Sequence, residues 1–233
     1  MIPISDDNPA RLAPVVTLIL IALCIAVFLW ELSLGADFDT AVAVLGLTPN
    51  AFTHPDGVQM GDFGVPVWAT ILTTMFLHAG ILHIAGNMLY LWIFGNNIED
   101  AMGHARFVLF YFACGIAAGL TMVFVDPVSH TPVVGASGAI SGVLAAYMLL
   151  YPRARVRVWV FVYPVWIRAV WVVSVWFVLQ LVNAALAPAA EPGTAWWAHV
   201  GGFAAGLVLT PLLKSRFVPY FGPVDPRGPW ADG

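Results

Sequence analysis

In a chain of 233 residues, hydrophobic side chains make up 61% and charged ones only 9%. That balance, with ten tryptophans and a strongly positive mean hydropathy, excludes an ordinary soluble domain and points to a polytopic membrane protein. The net charge of -4 includes no basic tract for nucleic acid, and Cys24 and Cys114, both inside apolar runs, can build neither a disulfide framework nor a metal site.

Apolar segments of spanning or near-spanning length run over roughly 13–34, 80–98, 107–125, 135–151, 169–188 and 195–213, at about 20 residues per crossing. The first follows Arg11 without a small-residue cleavage site, so it reads as a retained helix and not a signal peptide. The expectation is an all-α, six-helix bundle: a short N-terminus over 1–12, a membrane core over 13–214 and a disordered tail over 215–233. Six crossings put both termini on one side. If that side is cytoplasmic, all nine Lys and Arg residues, from Arg11 and Arg106 through Arg153, Arg155, Arg157 and Arg168 to Lys214, Arg216 and Arg227, fall there. The other side carries Glu31, Asp37, Asp39, Asp56, Asp62, Asp126 and Glu191, a complete positive-inside segregation.

The external segment over about 35–79 is long and partly apolar, which predicts short helices lying in the interface. Residues 152–168, rich in arginine and then apolar, read as a cytoplasmic connector against the membrane. Small-residue pairs at helical spacing, Gly115 with Gly119, Gly138 with Gly142 and Gly202 with Gly206, flatten helix faces for close packing.

Polar groups inside a bilayer are costly, so their depth is informative. His83 and Asn87 lie in the outer part of the second span with His78 just before it. Ser137 lies a few residues into the fourth span and His199 a few into the sixth. All fall at similar depth in the outer half. A serine becomes a good nucleophile when a base within hydrogen-bond reach takes its proton, and His199 suits that role. Gly202 and Gly206 share its helix face and would let that face pack on Gly138 and Gly142. His83 and Asn87, four residues apart on one face, could donate to an oxyanion together with the Ser137 amide. No acid is placed to complete a triad, so the implied form is a Ser137–His199 dyad. Gly-Ala-Ser-Gly is also ordinary helix-packing sequence, and Asn87 alone would usually be an interhelical hydrogen-bonding residue. His54, His104 and His130 fall in predicted loops and need no special role, and Ser141, one turn deeper than Ser137, has packing as its default.

The chain resembles the rhomboid family of intramembrane serine proteases in Gly135-Ala136-Ser137-Gly138, in Ala198-His199-Val200-Gly201-Gly202 with Gly206, in His78, His83 and Asn87, and in the join from Glu99 to Phe107. The resemblance implies a six-helix rhomboid core with Ser137 as nucleophile, His199 as base, His83 and Asn87 in the oxyanion hole, and His78 supporting the external loop. It implies substrates that are transmembrane segments of other proteins, and no cofactor or metal. The compact form is most similar to bacterial members, which implies an inner-membrane location. Two positions depart from the family pattern: Trp68 is followed by Ala69 instead of arginine, and Ser141 stands where some members have an aromatic ring against the histidine. The competing readings are a catalytically silent member that binds membrane clients, and a metal site or transporter using His78, His83 and His199. The latter is disfavoured by the lack of nearby carboxylates and thiolates.

Overall fold

A computed structural model describes residues 2–55, 65–186 and 195–222. The long helices are α1 (Val15–Ser33), α5 (Ile81–Met102), α6 (His104–Val125), α7 (Ser137–Leu150), α8 (Ala169–Leu186) and α9 (Trp196–Leu213). Between α1 and α5 lie the short helices α2 (Phe38–Leu45), α3 (Pro49–Thr53) and α4 (Thr70–Thr73), in the region where short helices were expected. By length and hydropathy α1, α6, α8 and α9 can each cross a membrane. The 22-residue α5 carries Glu99 and Asp100 near its end, and α7 has only 14 residues.

Helix α7 is the axis of the bundle. Its run of Gly138, Ala139, Ser141, Gly142, Ala145 and Ala146 is buried, and α5, α6, α8 and α9 all pack against it. Small residues suit a helix with neighbours on every side, because each neighbour's backbone can come close. At a rise of 1.5 Å per residue, α7 is about 21 Å long against a hydrocarbon core of about 30 Å. It is therefore shorter than such a core is thick.

The fold is not purely helical, which corrects the all-α expectation. Residues 152–168 do not form a plain connector. They form the hairpin β2 (Arg155–Val160) and β3 (Tyr163–Arg168), and the N-terminus adds β1 (Ile2–Asp6) to give an antiparallel sheet in the order β1-β2-β3. The cause is local: Arg-Val-Arg-Val-Trp-Val alternates with the period of a strand, turning Val156 and Val158 into the core and Arg155 and Arg157 outward. The tail expected to be disordered from 215 is held as far as Gly222. The Ser215 amide donates to the Ala101 carbonyl at 2.8 Å, and the amides of Phe221 and Gly222 donate to Leu149 and Leu150 at 3.0 and 3.2 Å. These bonds satisfy carbonyls that the ends of α5 and α7 leave free. The rest of that tail, 223–233, and the expected loop over 187–194 lie outside the described residues.

Two carboxylates on α5 secure the start of α1. Glu99 is fully buried and accepts the amides of Val16 and Thr17, each at 2.8 Å, and the Thr17 hydroxyl at 2.7 Å. Asp100 accepts the amides of Arg11 and Leu12 at 3.1 Å. A helix with no side-chain cap of its own is thus capped from a neighbour, with negative charge at the positive end of its dipole. His104, expected to lie in a loop, instead begins α6 and places Nδ1 2.6 Å from Glu99.

The strand β1 is joined to the bundle at Asp6, whose carboxylate accepts the Tyr147 hydroxyl at 2.5 Å and an Asn97 amide proton at 3.0 Å. Burial raises its pKa from 3.8 to about 6, Asp7 adds to the rise, and the two hydrogen bonds oppose it. Between those values the native state holds more protons than the unfolded one, so stability from this group is complete below about pH 3.8 and lost as pH rises through about 6. Replacement by asparagine should remove this fall and leave the protein more stable at neutral pH, measured as melting temperature against pH in micelles. Glu99→Ala strands two backbone amides and a hydroxyl, and should cost roughly 3 kcal/mol or more in denaturant unfolding, with Glu99→Gln milder.

Candidate active site

Ser137 is placed by the loop before it. Gly135 has φ +121°, a conformation open to glycine and strained for other residues, and its amide donates to the Thr74 carbonyl at 2.9 Å. The Thr74 hydroxyl donates back to the Val133 carbonyl, and Val133 exchanges backbone hydrogen bonds with Leu47. The long segment between α1 and α5 therefore fixes where α7 begins.

His199, in the first turn of α9, is brought to Ser137 by a glycine seam. A Cβ on Gly202 would strike the Gly138 carbonyl, and one on Gly206 the backbone of Gly142. On the α6 side, Gly138 and Gly142 leave no room for a Cβ against Ala118 and Cys114. At this separation His199 Nε2 lies 2.8 Å from Ser137 Oγ. Its Nδ1 lies 2.7 Å from Gln180 Oε1 on α8, and the rings of Trp176 and Trp196 sit 5.8 and 6.2 Å from the imidazole. The histidine is buried, with Gln180, Trp176 and Trp196 around its ring. Ser141 turns away and donates to the Ser137 carbonyl at 2.7 Å.

A cavity of about 1120 Å³ opens in front of the pair and is also lined by His83, Asn87 and Gly135. A side chain on Gly135 would put its Cβ 2.7 Å from His83 Nε2 and 3.5 Å from Asn87 Nδ2, so both nitrogens converge on the backbone just before Ser137. The Asn87 amide nitrogen is buried and has no partner among the described residues. An unpaired buried donor facing a cavity is suited to a ligand oxygen. His78 stands apart from the cavity: its ring meets that of His83 edge-on at 5.2 Å, its amide donates to Glu31 on α1 at 3.3 Å, and its Nδ1 lies 3.1 Å from the Phe76 carbonyl. That ties the end of the long loop to α1 and buttresses His83.

The expected residues Ser137, His199, His83 and Asn87 thus share one cavity, Gly202 and Gly206 form the seam behind it, and His78 supports from the rear. Among the described residues no three His, Cys, Asp or Glu side chains converge as a metal set. What sequence reasoning missed is Gln180. The available signal was its being an amide in a largely apolar helix, a signal that Asn183 shares.

A membrane-embedded helical protein with a serine and a histidine in hydrogen-bond contact is the class these features define. A family model described as Rhomboid domain matches residues 66–216, and the chain belongs to the rhomboid family. It is 36% identical over 139 residues to Rhomboid protease GluP of Bacillus subtilis, covering 59% of this chain and 24% of that protein. It is 33% identical over 94 residues to Putative rhomboid protease YdcA of the same organism, covering 40% and 44%. These matches take in less than half of either relative's length. Inactive rhomboid protein 1 of Drosophila melanogaster is 36% identical over 80 residues, covering 34% of this chain and 6% of that protein.

The seam makes a direct prediction. Gly202→Ala should destabilise the protein by about 1–3 kcal/mol or more through overpacking. Gly86→Ala, on a helix face with open space around it, should be neutral or stabilising. Thermal unfolding of both variants in micelles checks the contrast.

Proposed function

We propose that this protein is an intramembrane serine protease that cuts peptide bonds in or near transmembrane segments of other membrane proteins. The observation carrying this reading is the 2.8 Å contact between Ser137 Oγ and His199 Nε2, facing a cavity that His83 and Asn87 also line. The serine hydroxyl attacks the scissile carbonyl carbon as His199 Nε2 takes its proton. The resulting oxyanion is met by His83, Asn87 and the Ser137 amide at the start of α7. On collapse of the intermediate, the C–N bond breaks and His199 returns the proton to the leaving amine. Water, activated by the same histidine, then hydrolyses the ester and restores Ser137. Serine, histidine and water balance every step, so no metal or cofactor takes part.

In this reading α1, α5, α6, α7, α8 and α9 are six crossings, with both termini and the β-sheet on the cytoplasmic side of a bacterial inner membrane. The segregation of Lys and Arg supports that orientation. Ser137 then lies toward the external surface, where a substrate helix would have to unwind for its backbone to reach the hydroxyl.

The second reading, a silent member that binds clients without cutting them, is kept in view by the match to an inactive relative. The intact serine–histidine contact favours the protease. In proteoliposomes with a transmembrane reporter, Ser137→Ala and His199→Ala should each abolish cleavage while the protein stays folded. His83→Ala and Asn87→Ala should each lower the turnover by about 10²–10³, the usual cost of losing one oxyanion donor. Cleavage that survives removal of Ser137 or His199 would sink the dyad, and client binding without any cleavage by the unmodified protein would favour the silent reading.

A further inference from the structure

We infer that Gln180 is the positioning residue of the Ser137–His199 pair: through its side-chain oxygen it holds His199 in the Nδ1–H tautomer, leaving Nε2 bare to accept the serine proton. The inference rests on the proposed protease reading and assigns the pair a third member that is a neutral amide instead of a carboxylate.

The assignment follows from donors and acceptors. Gln180 lies in an apolar helix and is itself buried, at 6% exposure. One end of its amide lies 3.1 Å from the Trp176 carbonyl, one turn earlier on α8. A carbonyl can only accept, so the NH₂ group must face it, and that fixes which way the amide points. The oxygen then faces His199 Nδ1 at 2.7 Å, and an amide oxygen can only accept. Nδ1 must therefore carry the hydrogen. In a neutral imidazole the other nitrogen is then without one, and that nitrogen is the atom 2.8 Å from Ser137 Oγ.

The geometry leaves Gln180 no better partner. An amide with either end unpaired in such an apolar setting is disfavoured, so the same bonds that satisfy Gln180 also select the tautomer. An orienting amide differs from an orienting carboxylate in one respect: it aligns the ring without adding a negative charge beside it. Nothing in the Trp176 and Trp196 contacts would choose between the two tautomers, because a ring face or edge packs on either.

The test is the second-order rate at which a fluorophosphonate modifies Ser137 in the full chain in detergent micelles, taken on monodisperse protein so that unfolded material does not count. Gln180→Leu keeps the volume and removes the acceptor. It should slow modification by about tenfold or more, the equivalent of one lost hydrogen bond. Gln180→Glu restores an acceptor oxygen and should return the rate to within about threefold of the unmodified protein, a rescue that a merely structural role would not produce. If Gln180→Leu reacts at the unmodified rate while His199→Ala does not react, the positioning role is overturned and the dyad stands. Equal slowing by leucine and glutamate also overturns it. If the unmodified protein reacts no faster than His199→Ala, the serine–histidine reading fails and this inference fails with it.

Discussion

The structure depends on how closely α7 and α9 approach one another. In a bilayer, lipid tails are as apolar as leucine, so no hydrophobic force brings two helices together, and association rests on fit and on polar contacts. Gly138 and Gly142 on one helix, and Gly202 and Gly206 on the other, remove the side chains that would keep the backbones apart. Only at that distance can Ser137, at the start of α7, meet a histidine in the first turn of α9. The same economy of volume recurs on the α6 side of α7, where Ala118 and Cys114 fill the space that a Cβ on Gly138 or Gly142 would need. A polar pair is thus sealed inside apolar packing, which keeps its hydrogen bonds strong and leaves the cavity as the open approach to it.

The two ends of the bundle are held by different chemistry. At the end carrying Ser137, backbone hydrogen bonds join the loop before α7 to the long segment after α1, and the glycine conformation at Gly135 lets the chain turn into the helix. At the opposite end, side-chain carboxylates act: Glu99 and Asp100 take up the free amides at the start of α1, and Asp6 ties the N-terminal strand to Tyr147 on α7. Glu99 and Asp100 thus satisfy backbone donors at a helix start, Asp6 takes side-chain donors, and neutral polar groups line the candidate site. Among the described residues His199 is flanked by an amide and two indoles, so the orientation they give it comes from shape and hydrogen bonding.

Much of this was legible in the sequence because a membrane penalises each polar residue. The positions of His83, Asn87, Ser137 and His199 along their apolar segments could be counted, and the glycine spacings named the faces that meet. Gln180 escaped because depth alone does not give a helix's rotation. A single amide in an apolar helix can face a neighbour's backbone as readily as an imidazole. The sheet escaped for another reason. Its alternation of arginine and valine over 155–160 was present, but the adjacent strand over 163–168 holds a proline and does not alternate, and the other partner, over 2–6, lies far away in sequence. Glu99 was likewise visible as an acid at a helix end, while its targets, the amides of Val16 and Thr17, are set by tertiary packing. Short helices between α1 and α5 were foreseen, and residues 56–64 lie outside the described part of the chain.

The central claim is that Ser137, His199, His83 and Asn87 form one site around a developing oxyanion. A crystal structure of the protein after inactivation by a fluorophosphonate tests it most directly, because the tetrahedral phosphorus stands in for the carbon of the attacked peptide. The account predicts phosphorus bonded to Ser137 Oγ, with a phosphoryl oxygen about 2.7–3.1 Å from His83 Nε2 and Asn87 Nδ2, where an oxyanion would sit. Phosphorus on another side chain, or a phosphoryl oxygen turned away from both His83 and Asn87, would contradict it.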